Sequence, residues 1–183
     1  MTRREMYELI KSDLNRLGVE KNYIFGGAKC YVLWASFKIT YWFRKCSYWH
    51  SKHGVFSRLL LAICNLIYKH YQFKLGIDMS YRAKVGKGIK FIHFSGIVVS
   101  QDAVIGDNCT IYQCVTIGKT GNKGAPVIGN NCTFYAGAKV LGVKVGDNVE
   151  IGANAVVLKD CPDNTIWAGI PAKLLKIKTG KDV

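Results

Sequence analysis

The chain has 183 residues, of which 49% are hydrophobic, and a net charge of +14. This length and apolar content predict one folded domain with an appended segment and exclude a disordered protein. The seven cysteines include no C-x-x-C pair, and no secretory leader pattern precedes them. A disulfide framework and a zinc site are therefore not expected, and we predict a cytoplasmic protein without a metal.

The first predicted element is an amphipathic helix near the start of the chain. Thr2 can cap its first turn and Gly18 can end it. We expect its apolar stripe to pack on a neighbouring helix or subunit. The stripe consists of Met6, Leu9, Ile10, Leu14 and Leu17.

Residues 21–77 form a basic and aromatic segment, with nine Lys or Arg, no Asp or Glu, and 14 of the 22 aromatic residues. Its longest run without a charge, residues 59–68, is half of the roughly 20 residues that a membrane-spanning helix needs. We expect helices that lie on a surface. Two interpretations remain open: a helical region whose cations are solvated, or a face that binds anionic lipid at the inner side of the cytoplasmic membrane. Nucleic-acid binding is not predicted, because no recognition motif accompanies the basic residues.

A six-residue repeat begins after residue 78. A repeat of this length is typical of a parallel β-helix, and four coils of three short strands are predicted. Glycine follows the apolar residue where a tight corner leaves no room for a Cβ, at Gly86, Gly106, Gly129, Gly146 and Gly152. The apolar residues are Val85, Phe91 and Ile97; Ile105, Ile111 and Ile117; Ile128, Phe134 and Val140; and Val145, Ile151 and Val157.

Small residues four positions after the apolar ones predict a narrow interior. They are Cys109, Cys132, Ala138, Ala155 and Cys161. We expect these thiols to be inert, because an apolar site raises the pKa of a thiol. The stretch "GKTGNKGAP" interrupts the period after Ile117 and is either a binding loop or a tolerated surface insertion.

The repeat resembles the left-handed β-helix acyltransferases. The stretches "AKVGKGIKFIHFSGIVVSQDAVIGDNCTIYQCVTIGKTG", "YAGAKVLG", "VGDNVEIGANAVVLKDCP" and "AGIPAKLL" are similar to the serine acetyltransferase branch. Within that branch they look most like the short acetyltransferases of bacterial capsule and exopolysaccharide clusters, of the colanic acid type. The resemblance implies a mainly β protein, with an α-helical region at 1–76, a left-handed parallel β-helix at 77–166 and a tail at 167–183.

The resemblance also implies a catalytic pair, His93 and, fifteen residues earlier, Asp78. To acetylate a hydroxyl, a base must remove its proton as the oxygen attacks the thioester. Neutral imidazole suits this task near pH 7. A carboxylate on the other ring nitrogen would fix the tautomer and stabilise the imidazolium.

Acetyl-CoA is the co-substrate that the resemblance implies, and its binding residues are spread along the later coils. The loop residues Gly118, Lys119, Thr120 and Gly121 and the small residues Ala136 and Ala153 would lie along the pantetheine arm. Lys173 and Lys176 would meet the nucleotide phosphates. One face of a β-helix is too flat to bury both substrates, so we expect a homotrimer with His93 in a cleft between subunits.

The acceptor site departs from that of the serine enzymes. Ile92 replaces their acidic residue before the base, and the shortened loop reads Gly124, Ala125, Pro126 where they have an arginine and a histidine before the proline. We therefore predict acetylation of a sugar hydroxyl in polysaccharide biosynthesis, with a glycan or lipid-linked saccharide packed on Ile92 and Phe94. Two alternatives remain: a serine O-acetyltransferase of cysteine biosynthesis, and a non-catalytic trimeric scaffold docked on a membrane.

Overall fold

The computed structural model describes residues 1–19, 23–121 and 123–179. Residue 122 of the predicted loop and residues 180–183 of the predicted tail lie outside these ranges. The described helices are α1 (Arg3–Asn15), α2 (Tyr23–Leu33), α3 (Ala35–His50) and α4 (Val55–Leu75). The strands are β1 (Ile77–Met79), β2 (Lys84–Val85), β3 (Lys90–Ile92), β4 (Ile97–Val99), β5 (Val104–Ile105), β6 (Thr110–Tyr112), β7 (Thr116–Gly118), β8 (Val127–Ile128), β9 (Thr133–Phe134), β10 (Lys139–Leu141), β11 (Lys144–Val145), β12 (Glu150–Ile151), β13 (Val156–Val157), β14 (Thr165–Ala168) and β15 (Lys173–Ile177).

The strands stack in parallel into the three faces of a prism, which confirms the predicted β-helix. Face A contains β1, β4, β7, β10 and β13, and face B contains β2, β5, β8 and β11. Face C contains β3, β6, β9, β12 and β14, and β15 pairs antiparallel with β14 at its end. The chain passes from face A to B to C in each coil, so three edges, A–B, B–C and C–A, run along the prism. Because β14 crosses residue 166, strand pairing continues into the predicted tail.

The prediction of four coils was too short at both ends. Met79 on β1 lies six residues before Val85 and is fully buried, so the stack starts one strand earlier. At the other end, Cys161 bridges to Val145 and Trp167 pairs with Ile151. Met, Cys and Trp are not the Val, Ile or Phe that mark the repeat elsewhere, and the sequence pattern therefore did not identify these positions as parts of further strands.

The corners explain the repeated glycines and asparagines. A Cβ on Gly86 would lie 2.7 Å from the carbonyl carbon of Gly106 in the next coil, and one on Gly129 would lie 2.7 Å from that of Gly146. No side chain fits there, as predicted. The left-handed conformation falls on asparagine, which adopts it more readily than most residues. These corner residues include Asn108, Asn131, Asn148, Asn154 and Asn164, with φ of 55° to 58°.

Side chains connect successive coils along the B–C edge. The Oδ1 atom of Asn130 accepts the Asp107 N–H at 2.8 Å, and Asp147 Oδ1 accepts the Asn130 N–H at 2.6 Å. Asp163 Oδ1 accepts the Asp147 N–H at 2.8 Å. These four residues form the corner ladder, which satisfies backbone donors at turns where strand pairing stops.

A buried ion pair attaches the helices to the first coil. Arg44 on α3 donates from Nε and Nη2 to the Asp13 carboxylate of α1 at 3.0 and 3.1 Å, and both side chains are 2% exposed. Arg44 also donates to the carbonyls of Val85 and Gly86, at 2.7 and 2.6 Å. Asp13 accepts a further bond from the Ile89 N–H at 3.1 Å. Helix α1, with Thr2 and Glu5 in a capping box, is therefore fixed to the turn that leads into β3.

Helix α4 leaves an apolar stripe exposed on its outer face. Tyr68 and Cys64 on the opposite face are buried in the shared core. Across the described residues, no helix combines the length and apolarity needed to traverse a bilayer. The exposed stripe consists of Val55, Phe56, Leu59, Ile63, Leu66 and Phe73.

Candidate active site

His93 lies at an irregular corner on the C–A edge, between β3 and β4. His93, Ser95 and Gly96 have φ of 52°, 118° and 65°, whereas the later corners of this edge contain one such residue each, for example Cys114. Positive φ is costly for residues with a side chain, and such strain concentrates at functional sites. The corner holds the imidazole exposed to solvent.

His93 lines a cavity of about 440 Å³. The segment from Lys90 to Phe94 forms one wall, which includes the predicted acceptor residues Ile92 and Phe94. The residues at the junction of α2 and α3 form the other wall: Leu33, Trp34, Ala35 and Ser36. Sequence reasoning missed this second wall and Lys90, because the contact joins segments far apart in the chain and no local pattern marks it.

Asp78 does not contact His93 in the described structure. It lies on β1 opposite Val98 of β4, is exposed, and faces a separate cavity of about 350 Å³ beside Lys69 and Phe73. No hydrogen bond or ion pair joins the two side chains. The predicted contact between the two side chains is therefore absent. Strands β1 and β4 are neighbours on face A, but Asp78 points out from the middle of the face, whereas His93 lies at its edge. The catalytic roles of both residues stay predictions.

The predicted small residues follow His93 along the C–A edge. Successive corners are joined by the bonds from the Cys114 N–H to Ser95 O at 2.8 Å and from the Gly137 N–H to Gln113 O at 2.9 Å. The Asn154 N–H then donates to Ala136 O at 2.8 Å, and Ala153 occupies the same corner as Asn154. His93, Ala136 and Ala153 therefore share one edge, with no large side chain at the two alanines.

The predicted loop lies at the other side of face A. It leaves from Gly118 at the end of β7, on the A–B edge, and Thr120 and Lys123 pair across it. Gly142 lies beneath this turn, where a Cβ would be 2.7 Å from that of Lys123. The Lys123 ammonium donates to Leu158 O at 3.0 Å. The loop is therefore packed on the prism, away from the His93 of the same chain.

The predicted lysines have different surroundings. Lys119, which was predicted to contact the coenzyme, forms an ion pair with the carboxylate of Asp102. Lys173 and Lys176 lie on β15, opposite Ala168 and Ile166, at the end of the prism far from His93. Both are exposed, as contact with a phosphate would require.

The cysteines separate into one exposed thiol and six buried ones. Cys109, Cys132 and Cys161 are buried in the core, as predicted. Burial raises the pKa of Cys46 and of Cys161 to about 12. Cys114 is exposed on the C–A edge, one coil beyond His93. Within the described part of the chain, no three His, Cys, Asp or Glu residues cluster as metal ligands would.

Comparison with known proteins supports the fold. Residues 125–159 match the family model described as bacterial transferase hexapeptide (six repeats). The serine acetyltransferases of Synechococcus elongatus and Staphylococcus aureus are 38% identical over 127 residues and 40% identical over 136 residues. These alignments cover 67% and 70% of this chain, but only 52% and 64% of the two relatives.

Solved structures give the same result. Soybean serine acetyltransferase complexed with serine superposes with a TM-score of 0.77 and 28% identity, over 94% of this chain and 70% of that one. The Brucella abortus serine acetyltransferase complexed with coenzyme A has a TM-score of 0.80 and 24% identity, over 97% and 70% of the two chains. The chain has the left-handed, hexapeptide-repeat β-helix fold of such acetyltransferases.

These findings correct the predicted acceptor. The named relatives and structures are serine acetyltransferases, not capsule or exopolysaccharide enzymes. The prediction of transfer to a sugar hydroxyl in polysaccharide biosynthesis was therefore wrong, and the serine alternative fits better. The prediction treated Ile92 and the shortened loop as decisive, although groups elsewhere in the fold can supply a missing charge.

Proposed function

We propose that this protein is an acetyl-CoA-dependent O-acetyltransferase whose acceptor is the hydroxyl of serine. The observation that carries the proposal is the strained corner that holds His93 exposed in a cavity. This corner lies on the C–A edge, where the later corners contain the small residues Ala136 and Ala153. The serine acetyltransferase relatives support the choice of acceptor.

The reaction needs one base and no covalent enzyme intermediate. The unprotonated imidazole nitrogen of His93 takes the hydroxyl proton as the serine oxygen attacks the thioester carbonyl. The tetrahedral intermediate then expels the coenzyme sulfur, which takes the proton from the imidazolium. The products are O-acetylserine and the free thiol of coenzyme A. Asp78 would stabilise the imidazolium through the field of its carboxylate.

Assembly of copies would complete the site. His93 and the loop from Gly118 to Gly121 lie on opposite edges of face A, so a neighbouring subunit can bring its loop to the C–A edge in a closed threefold ring. We propose that coenzyme A lies along this edge, beside Ala136 and Ala153, and that Lys173 or Lys176 contacts its phosphates. The neighbouring loop would close the cleft.

We also propose a cytoplasmic location, because seven free cysteines suit a reducing compartment. A peripheral membrane contact through α4 would use its exposed apolar stripe beside Arg58, Lys69 and Lys74.

Transfer from radiolabelled acetyl-CoA to L-serine tests the function. The protein should form O-acetylserine and release one thiol per acetyl group. His93→Ala should lower turnover by roughly 10² to 10⁴, the range for loss of a general base, and leave coenzyme affinity unchanged. Asp78→Asn should cost less, and His70→Ala, an exposed histidine on α4, serves as control. A fully active His93→Ala variant would contradict the mechanism, and no thiol release with serine would contradict the function.

A further inference from the structure

The His93 cavity contains one cationic group that the proposed chemistry does not use. Lys90 lies two residues before Ile92 on β3, and both side chains project outward while Phe91 between them is buried. Lys90 and Ile92 therefore face the same cavity as His93. Among the described residues, the cavity wall contains no Asp or Glu.

Lys90 is also unpaired within the described residues. Its ammonium forms no ion pair or hydrogen bond, in contrast to Lys87, which pairs with Asp107 at 3.7 Å, and Lys178, which pairs with Glu150 at 2.8 Å. A second cation lies nearby: Thr110, opposite Lys90 on β6, accepts a 2.8 Å bond from Arg16. The Nε of Arg16 is buried and has no hydrogen-bond partner among the described residues. Lys90 therefore brings to this wall a positive charge that no carboxylate in the described part of the chain neutralises.

From these observations we infer that Lys90 binds the carboxylate of the acceptor and that this contact, rather than one to the ammonium, selects the acceptor. The inference rests on the proposed function. A strand rises about 3.3 Å per residue, so the Cα atoms of Lys90 and His93 are at most about 10 Å apart, and the flexible lysine stem can close most of that distance. A small hydroxy acid then spans the gap with its hydroxyl at His93 and its carboxylate at Lys90.

Among the described residues, the same wall offers the ammonium of serine no carboxylate. The side chains of Ile92 and Phe94 are apolar, those opposite are apolar apart from the neutral hydroxyl of Ser36, and burying a charge without a counter-charge is unfavourable. Removing the ammonium from the acceptor should therefore cost little. Removing the carboxylate should cost much, because a charge-assisted hydrogen bond is lost.

Three acceptors separate these effects: L-serine, 3-hydroxypropionate, which lacks the ammonium, and serinamide, which lacks the carboxylate. The wild type should use 3-hydroxypropionate within about tenfold of serine in kcat/KM and serinamide at least tenfold less well. Lys90→Met should raise the KM for serine roughly tenfold to a hundredfold with little change in kcat, and should leave serinamide unaffected. Lys90→Arg should restore most of the affinity. Lys87→Met, which removes an exposed cation outside the cavity, should change nothing.

An unchanged KM for serine in Lys90→Met would overturn the inference, as would an effect on the KM for acetyl-CoA alone. If the wild type acetylates none of the three acceptors, the proposed function fails, and binding then tests Lys90. Saturation-transfer NMR should detect 3-hydroxypropionate on the wild type but not on Lys90→Met. Equal binding to both proteins, or to neither, would overturn the role of Lys90.

Discussion

Replacing Asp13 by Asn should destabilise the protein far more than the loss of one surface charge would. Asp13 is 2% exposed and receives two bonds from Arg44 and one from the Ile89 N–H. The amide can still accept from Ile89, but the guanidinium of Arg44 is left buried without a counter-charge. Breaking a buried pair in this way costs about 3 to 5 kcal/mol. With a urea m-value of about 2 to 3 kcal/mol/M, the midpoint should fall by roughly 1 to 2.5 M.

Urea unfolding followed by far-UV circular dichroism and tryptophan fluorescence measures this change. The two signals should coincide, because helices α3 and α4 share one core with the β-helix. Asp107→Asn is the matched control: its carboxylate and Lys87 are 39% and 60% exposed and 3.7 Å apart, so it should cost less than about 1 kcal/mol. Equal losses in the two variants would refute the reasoning.

Three further outcomes are expected. At pH 8 one thiol per chain, that of Cys114, should react quickly with a disulfide reagent. Cys46 and Cys161, each with a pKa of about 12, are ionised to only about one part in 10⁴ at this pH. Several fast-reacting thiols per chain would contradict the burial of the other cysteines. Light scattering should give the mass of three 20.4 kDa chains, whereas a monomer would remove the basis for a shared cleft. Anionic vesicles should sediment the protein more than neutral ones, and less in high salt; equally weak binding to both would leave the α4 face without a lipid partner.

The β-helix was predictable because its signal is local. Each coil repeats the same apolar position, and Ile111 and Ile117 are both fully buried as the period requires. The cavity was only half predictable. Ile92 and Phe94 adjoin His93 in sequence, whereas Trp34 reaches it through helix packing that no short pattern encodes. The acceptor was misjudged for the same reason. The sequence shows that Ile92 replaces a charged residue, whereas only the folded chain shows that the unpaired charge of Lys90 lies in the same cavity.

The prism also sets distances in fixed steps. Neighbouring strands in a sheet are about 4.8 Å apart, so the three coil-to-coil steps from the His93 corner to that of Asn154 span about 14 Å. The corner ladder fixes the same spacing along the B–C edge through the side chains of Asn130 and Asp147. Residues at the corners of the C–A edge are therefore separated by whole multiples of one coil spacing. Insertion or deletion of one coil would change the distance between His93 and the last corner by one such step rather than by a gradual stretch.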